Sequence, residues 1–227
     1  MEIVAVHRYP VKSMGGERLS QARVDRRGLT GDRWYAVADA EGHFASGKNT
    51  RRFRRYDPVF GYAAVTVEDG VRVNGPEGSW LVGEEALDAE LSKAFGAPAR
   101  VTAEAEVPHQ DAGRVSIVGT ASLAWCAERW GGNSDPRRTR TNLVVATDEP
   151  FIEDGWVGHR LAVGGVELAV VGQAPRCLMV DLDQDGIRTG VGWLKPLGRE
   201  RALNLAVYAD VDRPGLLSVG DAVRVLD

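Results

Sequence analysis

The chain is poor in cysteine and histidine and has no long apolar run, and each scarcity removes a class of protein. Two cysteines, Cys126 and Cys177, in 227 residues do not make a disulfide framework. The four histidines, at positions 7, 43, 109 and 159, have neither the helical spacing nor the accompanying cysteine pairs of a zinc site. No apolar run is long enough to cross a bilayer, and Met1-Glu2-Ile3-Val4 lacks the basic and apolar regions of a secretion signal. Cytoplasm is therefore the expected compartment. A net charge of −4 gives no global attraction to nucleic acid or to an anionic membrane. Neither is an expected partner, and any anion site must be local. Gly190-Val191-Gly192 does not continue into a dinucleotide fingerprint, and no Gly-Lys-Ser/Thr phosphate loop occurs. Asp181, Asp183 and Asp185 alternate as calcium-loop carboxylates do, yet the glutamate that closes an EF-hand loop is absent from its place.

What the chain has in quantity is turn signal: 27 glycines and 10 prolines, which point to short strands joined by tight corners. Ile3, Val4 and Val6 lead to Tyr9 as a strand that Pro10 ends, leaving Lys12 and Ser13 at its mouth. A second strand over 34–38 starts after the corner Gly28-Leu29-Thr30-Gly31-Asp32-Arg33, so Arg33 again sits at a mouth. Residues 45–55 carry five basic side chains and read as a solvated loop. Residues 62–67 and 71–73 form a hairpin across Asp69-Gly70, and 83–95 has helical spacing that Gly96 stops.

An acidic stretch over 102–113 reads as a link between a β-rich module at 1–101 and a second unit at 102–227. After a strand at 115–118, Thr120 reads as the N-cap of a helix that runs to Gly131-Gly132, with Cys126 on its inward side. Arg140 and Asn142 then lie near the start of a strand at 143–146. Residues 161–163 and 166–171 form another hairpin, 202–208 a further strand, and 216–218 and 222–225 are expected to pair with each other and close the sheet. About ten short strands and two clear helices predict a mostly β, α+β fold built as a mostly antiparallel barrel with a barrel-like N-terminal module.

The run Val166-Glu167-Leu168-Ala169-Val170-Val171-Gly172-Gln173-Ala174-Pro175-Arg176-Cys177 is the stretch to which the rest reads as housing. A buried strand ends at Pro175, and a soft thiol follows just past its end beside a guanidinium that favours the thiolate. Two readings stand on these residues: a reactive thiol at a strand mouth, or a small buried hydrophobe.

With those residues in place, the chain resembles the MOSC family, named after the C-terminal domain of molybdenum cofactor sulfurase. The N-terminal half carries the resemblance through Tyr9-Pro10-Val11-Lys12-Ser13 and Gly31-Asp32-Arg33-Trp34. The C-terminal half carries it through Gln110-Asp111, Thr120-Ala121-Ser122-Leu123, Arg140-Thr141-Asn142-Leu143-Val144-Val145, Glu153-Asp154-Gly155-Trp156, Arg176-Cys177 and Val219-Gly220-Asp221. These occur in family order over nearly the whole chain. The resemblance implies a β-barrel fold and a molybdenum cofactor, Mo-molybdopterin, with Cys177 as catalytic residue and metal ligand. It implies that Lys12, Ser13, Arg33, Arg140 and Asn142 hold the cofactor, with Arg176 preceding the ligand, and the place of Thr120 and Ser122 near a helix start adds the expectation that they offer hydroxyls and backbone N–H groups to its phosphate.

The implied activity is reduction of N-hydroxylated or related small molecules, with room for a redox donor protein as partner. The alternative is a metal-free sulfur carrier bearing a persulfide on Cys177. A pyridoxal phosphate link comes with family association alone. The chain departs from the pattern at Val180, where relatives carry threonine, at Leu205-Ala206, where they carry Phe-Gly, and in the basic run 46–55.

Overall fold

The strand Ile3–Arg8 is the seam that joins the two halves of the chain. In the computed structural model, which describes residues 1–226, it pairs antiparallel with Glu17–Leu19 on one edge and with Leu143–Val145 on the other. Its β-branched residues Ile3 and Val6 are buried, and Pro10 removes the next donor from the ladder. The strand belongs to an eight-stranded sheet in the order Val223–Leu226, Arg160–Val163, Val166–Pro175, Asn204–Arg213, Val115–Gly119, Leu143–Val145, Ile3–Arg8, Glu17–Leu19. Among the described residues the one parallel pair in that sheet is Val115–Gly119 with Leu143–Val145. A parallel pair needs a crossover connection, and the helix Thr120–Trp130 lies in it.

Three smaller sheets complete the molecule. Ala99–Ala103, Tyr35–Asp39, Phe44–Ser46 and Phe53–Arg55 form one, Ala63–Val67, Gly70–Gly75 and Gly78–Leu81 a meander, and Gly215–Ser218, Gln21–Asp25 and Gly28–Leu29 a third. The helix Glu85–Phe95 covers the N-terminal sheets with Leu87 and Leu91, and Gly96 ends it at φ 65°, a left-handed cap that favours glycine. A short third helix spans Leu194–Glu200. The fold is mostly β with a few short helices, as expected.

Neither half keeps its core to itself. Ile3, Val6, Val24 and Leu29 pack in one cluster with Val115, Leu143, Leu168 and Val207, while Met179 and Leu182 pack against the N-terminal cluster around Met14, Phe60 and Leu91. The expected C-terminal hairpin does not form. Gly215–Ser218 pairs with Gln21–Asp25 and Val223–Leu226 with Arg160–Val163. The corner between them is fixed by Asp221, whose carboxylate accepts from the Ser218 N–H at 2.7 Å and whose carbonyl accepts from the Ile3 N–H at 2.9 Å, and by the Gly220 N–H, which donates to the Ile3 carbonyl at 2.8 Å. The basic run also differs from a simple loop, because Phe44–Ser46 and Phe53–Arg55 pair in parallel at its ends and Ala45, Ser46 and Phe53 are buried.

Candidate functional site

Cys177 lies just past the end of the strand Val166–Pro175, half-buried and unpaired. Register shifts between Val170 and Gly172 and between Gln173 and Pro175 bend this strand before it ends, which re-aims the residues that follow. The Cys177 carbonyl then accepts the Val180 N–H at 3.1 Å to start a short 3₁₀ turn, Leu178–Asp181. Arg138, fully buried over the Trp193 ring, ties that turn down by donating to the Val180 carbonyl at 3.2 Å. The other thiol, Cys126, is buried in the crossover helix, and burial pushes it up to about 12.

A cavity of about 320 Å³ opens in front of Cys177, and Lys12, Ser13, Arg33, Arg140, Asn142 and Arg176 also line it. Residues as far apart in sequence as Lys12 and Tyr208 meet here because their strand ends converge. Ser13, Arg33 and Arg140 hold the left-handed backbone, at φ 70°, 53° and 52°, which costs a residue with a Cβ on the order of 1 kcal/mol or more. Each is fixed by a bond to a segment distant in sequence: Ser13 Oγ donates to the Ala45 carbonyl at 2.8 Å, the Arg33 N–H to the Tyr9 carbonyl at 2.8 Å, and Arg140 to the Met14 carbonyl at 2.7 Å. The guanidinium groups of Arg33 and Arg140 stand 5.1 and 4.3 Å from the centre of the buried Tyr9 ring. Arg33 is further paired with the fully buried Asp32.

The charge of the cavity wall is one-sided. Lys12, Arg33, Lys48, Arg138, Arg140 and Arg176 line it with a single carboxylate, Asp111, although the buried Arg138 spends its guanidinium on the Val180, Asn133 and Val191 carbonyls. Lys12 lies 3.2 Å from Asp111, and burial pulls its ammonium down to about 8, a shift that Asp111 partly offsets. Arg176 donates to the Ala174 and Thr139 carbonyls at 3.1 and 2.8 Å, while its second terminal nitrogen is buried without a partner. An orphaned guanidinium nitrogen in a cation-rich cavity fits an anionic ligand. Asn142 is different: its amide accepts from Ser116 at 2.9 Å and donates to the His7 carbonyl at 3.3 Å, so it braces the cavity floor.

Thr120 and Ser122 are not brought to this cavity. Gly119, not Thr120, caps the helix, and the Thr120 hydroxyl accepts the Thr147 N–H at 3.1 Å. Ser122 is fully buried, donates to Glu153 at 2.8 Å and accepts the Phe151 N–H at 2.7 Å. Both are occupied in holding the segment around Glu153, which is itself fully buried and accepts the Gly119 N–H. Conversely, Lys48 and Asp111 line the cavity, although the sequence offers only a charge run for the first and a dipeptide motif for the second. The alternating acids are spent on the backbone: Asp181 accepts from Trp193 and Leu194, Asp183 from Thr189 and Asp185 from Gly16.

Among the described residues no three His, Cys, Asp or Glu side chains gather as a metal site. A metal at Cys177 would therefore have to bring most of its own ligands, as the dithiolene of a pterin cofactor does, and a soft thiolate suits such an ion. The donor set fits that group.

Comparison with known proteins agrees with the fold. At 14% identity the YuaD protein of Bacillus subtilis superposes with a TM-score of 0.53, covering 99% of this chain and 94% of its own. Mitochondrial amidoxime reducing component 2 of Bos taurus is 25% identical over a 281-residue alignment that covers 95% of this chain and 80% of the relative. Molybdenum cofactor sulfurase of Danio rerio is 24% identical over 78% of this chain, which spans about a quarter (27%) of the length of that relative. The model of the MOSC N-terminal beta barrel domain matches residues 1–120 and that of the MOSC domain residues 104–224. The chain thus belongs to the MOSC family, with both the N-terminal barrel module and the MOSC domain present.

Proposed function

We propose that the protein is a molybdenum-cofactor-binding oxidoreductase that reduces N-hydroxylated or related small molecules. The observation that carries this reading is a half-buried thiol in a cavity whose wall holds six cationic side chains and one carboxylate. When bound, the cofactor supplies a metal that passes two electrons to the substrate. Cys177 would be the protein's ligand to it. Lys12, Ser13, Arg33, Arg140 and Arg176 would hold the phosphate-bearing pterin by charge and hydrogen bonds, and Asn142 would keep the floor beneath it in register.

Loss of a hydroxyl as water requires protons as well as electrons. Lys12, with its ammonium near 8 and its Nζ at the cavity wall, is the group there that can hold and release one near neutral pH. The electrons would come from a redox donor protein.

Molybdenum analysis tests the reading. Protein made in a cofactor-competent host is expected to carry close to one molybdenum per chain, and Cys177→Ala to lose most of it. A ratio near zero in the native chain counts against the proposal. If intact mass instead shows a sulfur adduct that vanishes with reductant and with Cys177→Ala, the persulfide carrier is the better description.

A further inference from the structure

Lys48 is drawn inward from a basic segment in which Arg54 and Arg55 are paired on the surface. Arg54 pairs with Glu41 and Arg55 with Asp57, both exposed, whereas the Lys48 side chain lines the cavity. Its ammonium stands 4.9 Å from the centre of the Phe53 ring, and that of Lys12 stands 4.8 Å from the same ring. Between them is one carboxylate oxygen of Asp111, 3.2 Å from Lys12 and 3.8 Å from Lys48. At 3.8 Å the second pair is an ion pair without a hydrogen bond, so the donors of Lys48 are not consumed. Asp111 itself is half-exposed and belongs to a stretch between the strands Ala99–Ala103 and Val115–Gly119 that has no regular structure. It can swing outward without breaking a ladder.

We infer that Lys48, beside the Phe53 ring and next to the cofactor-holding Lys12, forms an anion subsite in which Asp111 stands in for a substrate carboxylate, so that the cleft selects small carboxylate-bearing substrates. This inference rests on the oxidoreductase reading for the reaction, though not for the binding. Two ammonium groups sharing one carboxylate leave positive charge uncompensated, and the phenyl face offers an apolar wall for the body of the ligand. An incoming carboxylate replaces Asp111 like for like, so the cations are never left bare. A neutral substrate would have to enter with that carboxylate still in place.

The test uses benzoate and benzamide, which share a shape and differ in charge. Calorimetric titration of the full chain is expected to show benzoate binding about tenfold tighter than benzamide, a difference of one charge-assisted hydrogen bond. Lys48→Gln should remove that difference and Lys48→Arg keep it. In molybdenum-loaded protein, the ratio of kcat/KM for an aromatic amidoxime bearing a ring carboxylate over its neutral parent should fall about tenfold in Lys48→Gln.

Benzoate affinity untouched by Lys48→Gln would overturn the inference, because Lys48 would then be only a counter-charge. Loss of molybdenum from the same variant would also overturn it, because Lys48 would then serve the cofactor. A chain that binds benzoate through Lys48 yet reduces nothing keeps the subsite and loses the oxidoreductase reading. A chain that reduces both amidoximes with a ratio indifferent to Lys48 does the reverse.

Discussion

At Lys12 the physics of burial becomes a pH dependence that can be measured. Its ammonium is almost wholly removed from water, which pulls it from an ordinary 10.5 down to about 8. Above that pH the cleft loses a charge. Sulfate, whose own charge is constant, should therefore bind more weakly as pH rises through about 8, and Lys12→Arg should abolish the drop in that window. Stability moves in the opposite sense. Between about 8 and 10.5 the unfolded chain holds the proton that the folded one has given up, so this group makes folding more favourable as pH rises across that interval. Ser122 gives a second test at this scale. Ser122→Ala strips a hydrogen bond from the buried Glu153 and should cost about 1–3 kcal/mol in urea unfolding while molybdenum content stays at the native level. A loss of metal without a loss of stability would return Ser122 to the cofactor site.

Single elements differ in how far their own sequence accounts for them. The helix Glu85–Phe95 was legible because Ala86, Leu87, Leu91 and Ala94 recur at helical steps and Gly96 supplies the stop. Leu87 is fully buried within the N-terminal cluster, so Leu87→Ala should cost about 2–5 kcal/mol by denaturant titration. The strand ends that carry Lys12, Arg33 and Cys177 were legible for the same kind of reason, since Pro10, Gly31 and Pro175 punctuate them. The basic run was not. Its charge composition pointed to solvent, while Phe44 and Phe53 anchor a parallel pair that turns Lys48 inward. The helix after Val115–Gly119 follows from its own spacing, but its cap does not: Gly119 holds that position and the Thr120 hydroxyl is taken by Thr147, a residue far away in the chain.

For the whole molecule, the two family modules are interlocked rather than strung in series. The strand Ile3–Arg8 sits inside the sheet of the C-terminal half, and Gln21–Asp25 pairs with Gly215–Ser218. A fragment of residues 102–227 would expose the edge of Leu143–Val145 and lose Ile3, Val6, Val24 and Leu29 from its largest apolar cluster. It should show no cooperative urea transition by circular dichroism, and the same fragment should recover one when residues 1–29 are restored to it. A cooperative transition in the bare fragment would show that the shared sheet is dispensable.

The order of residues was enough to establish where strands end, which thiol follows one, and that cations cluster at those ends, because turn chemistry and hydrophobic period are local properties of the chain. It could not establish which strand meets which, since any strand's ladder groups can pair with any other's and the choice is made by the burial that results. That choice sends Val223–Leu226 to Arg160–Val163, lifts Thr120 and Ser122 away from the cleft, and brings Lys48 and Asp111 into it. The cavity wall is a product of long-range pairing, and so its membership became visible when the sheets were closed.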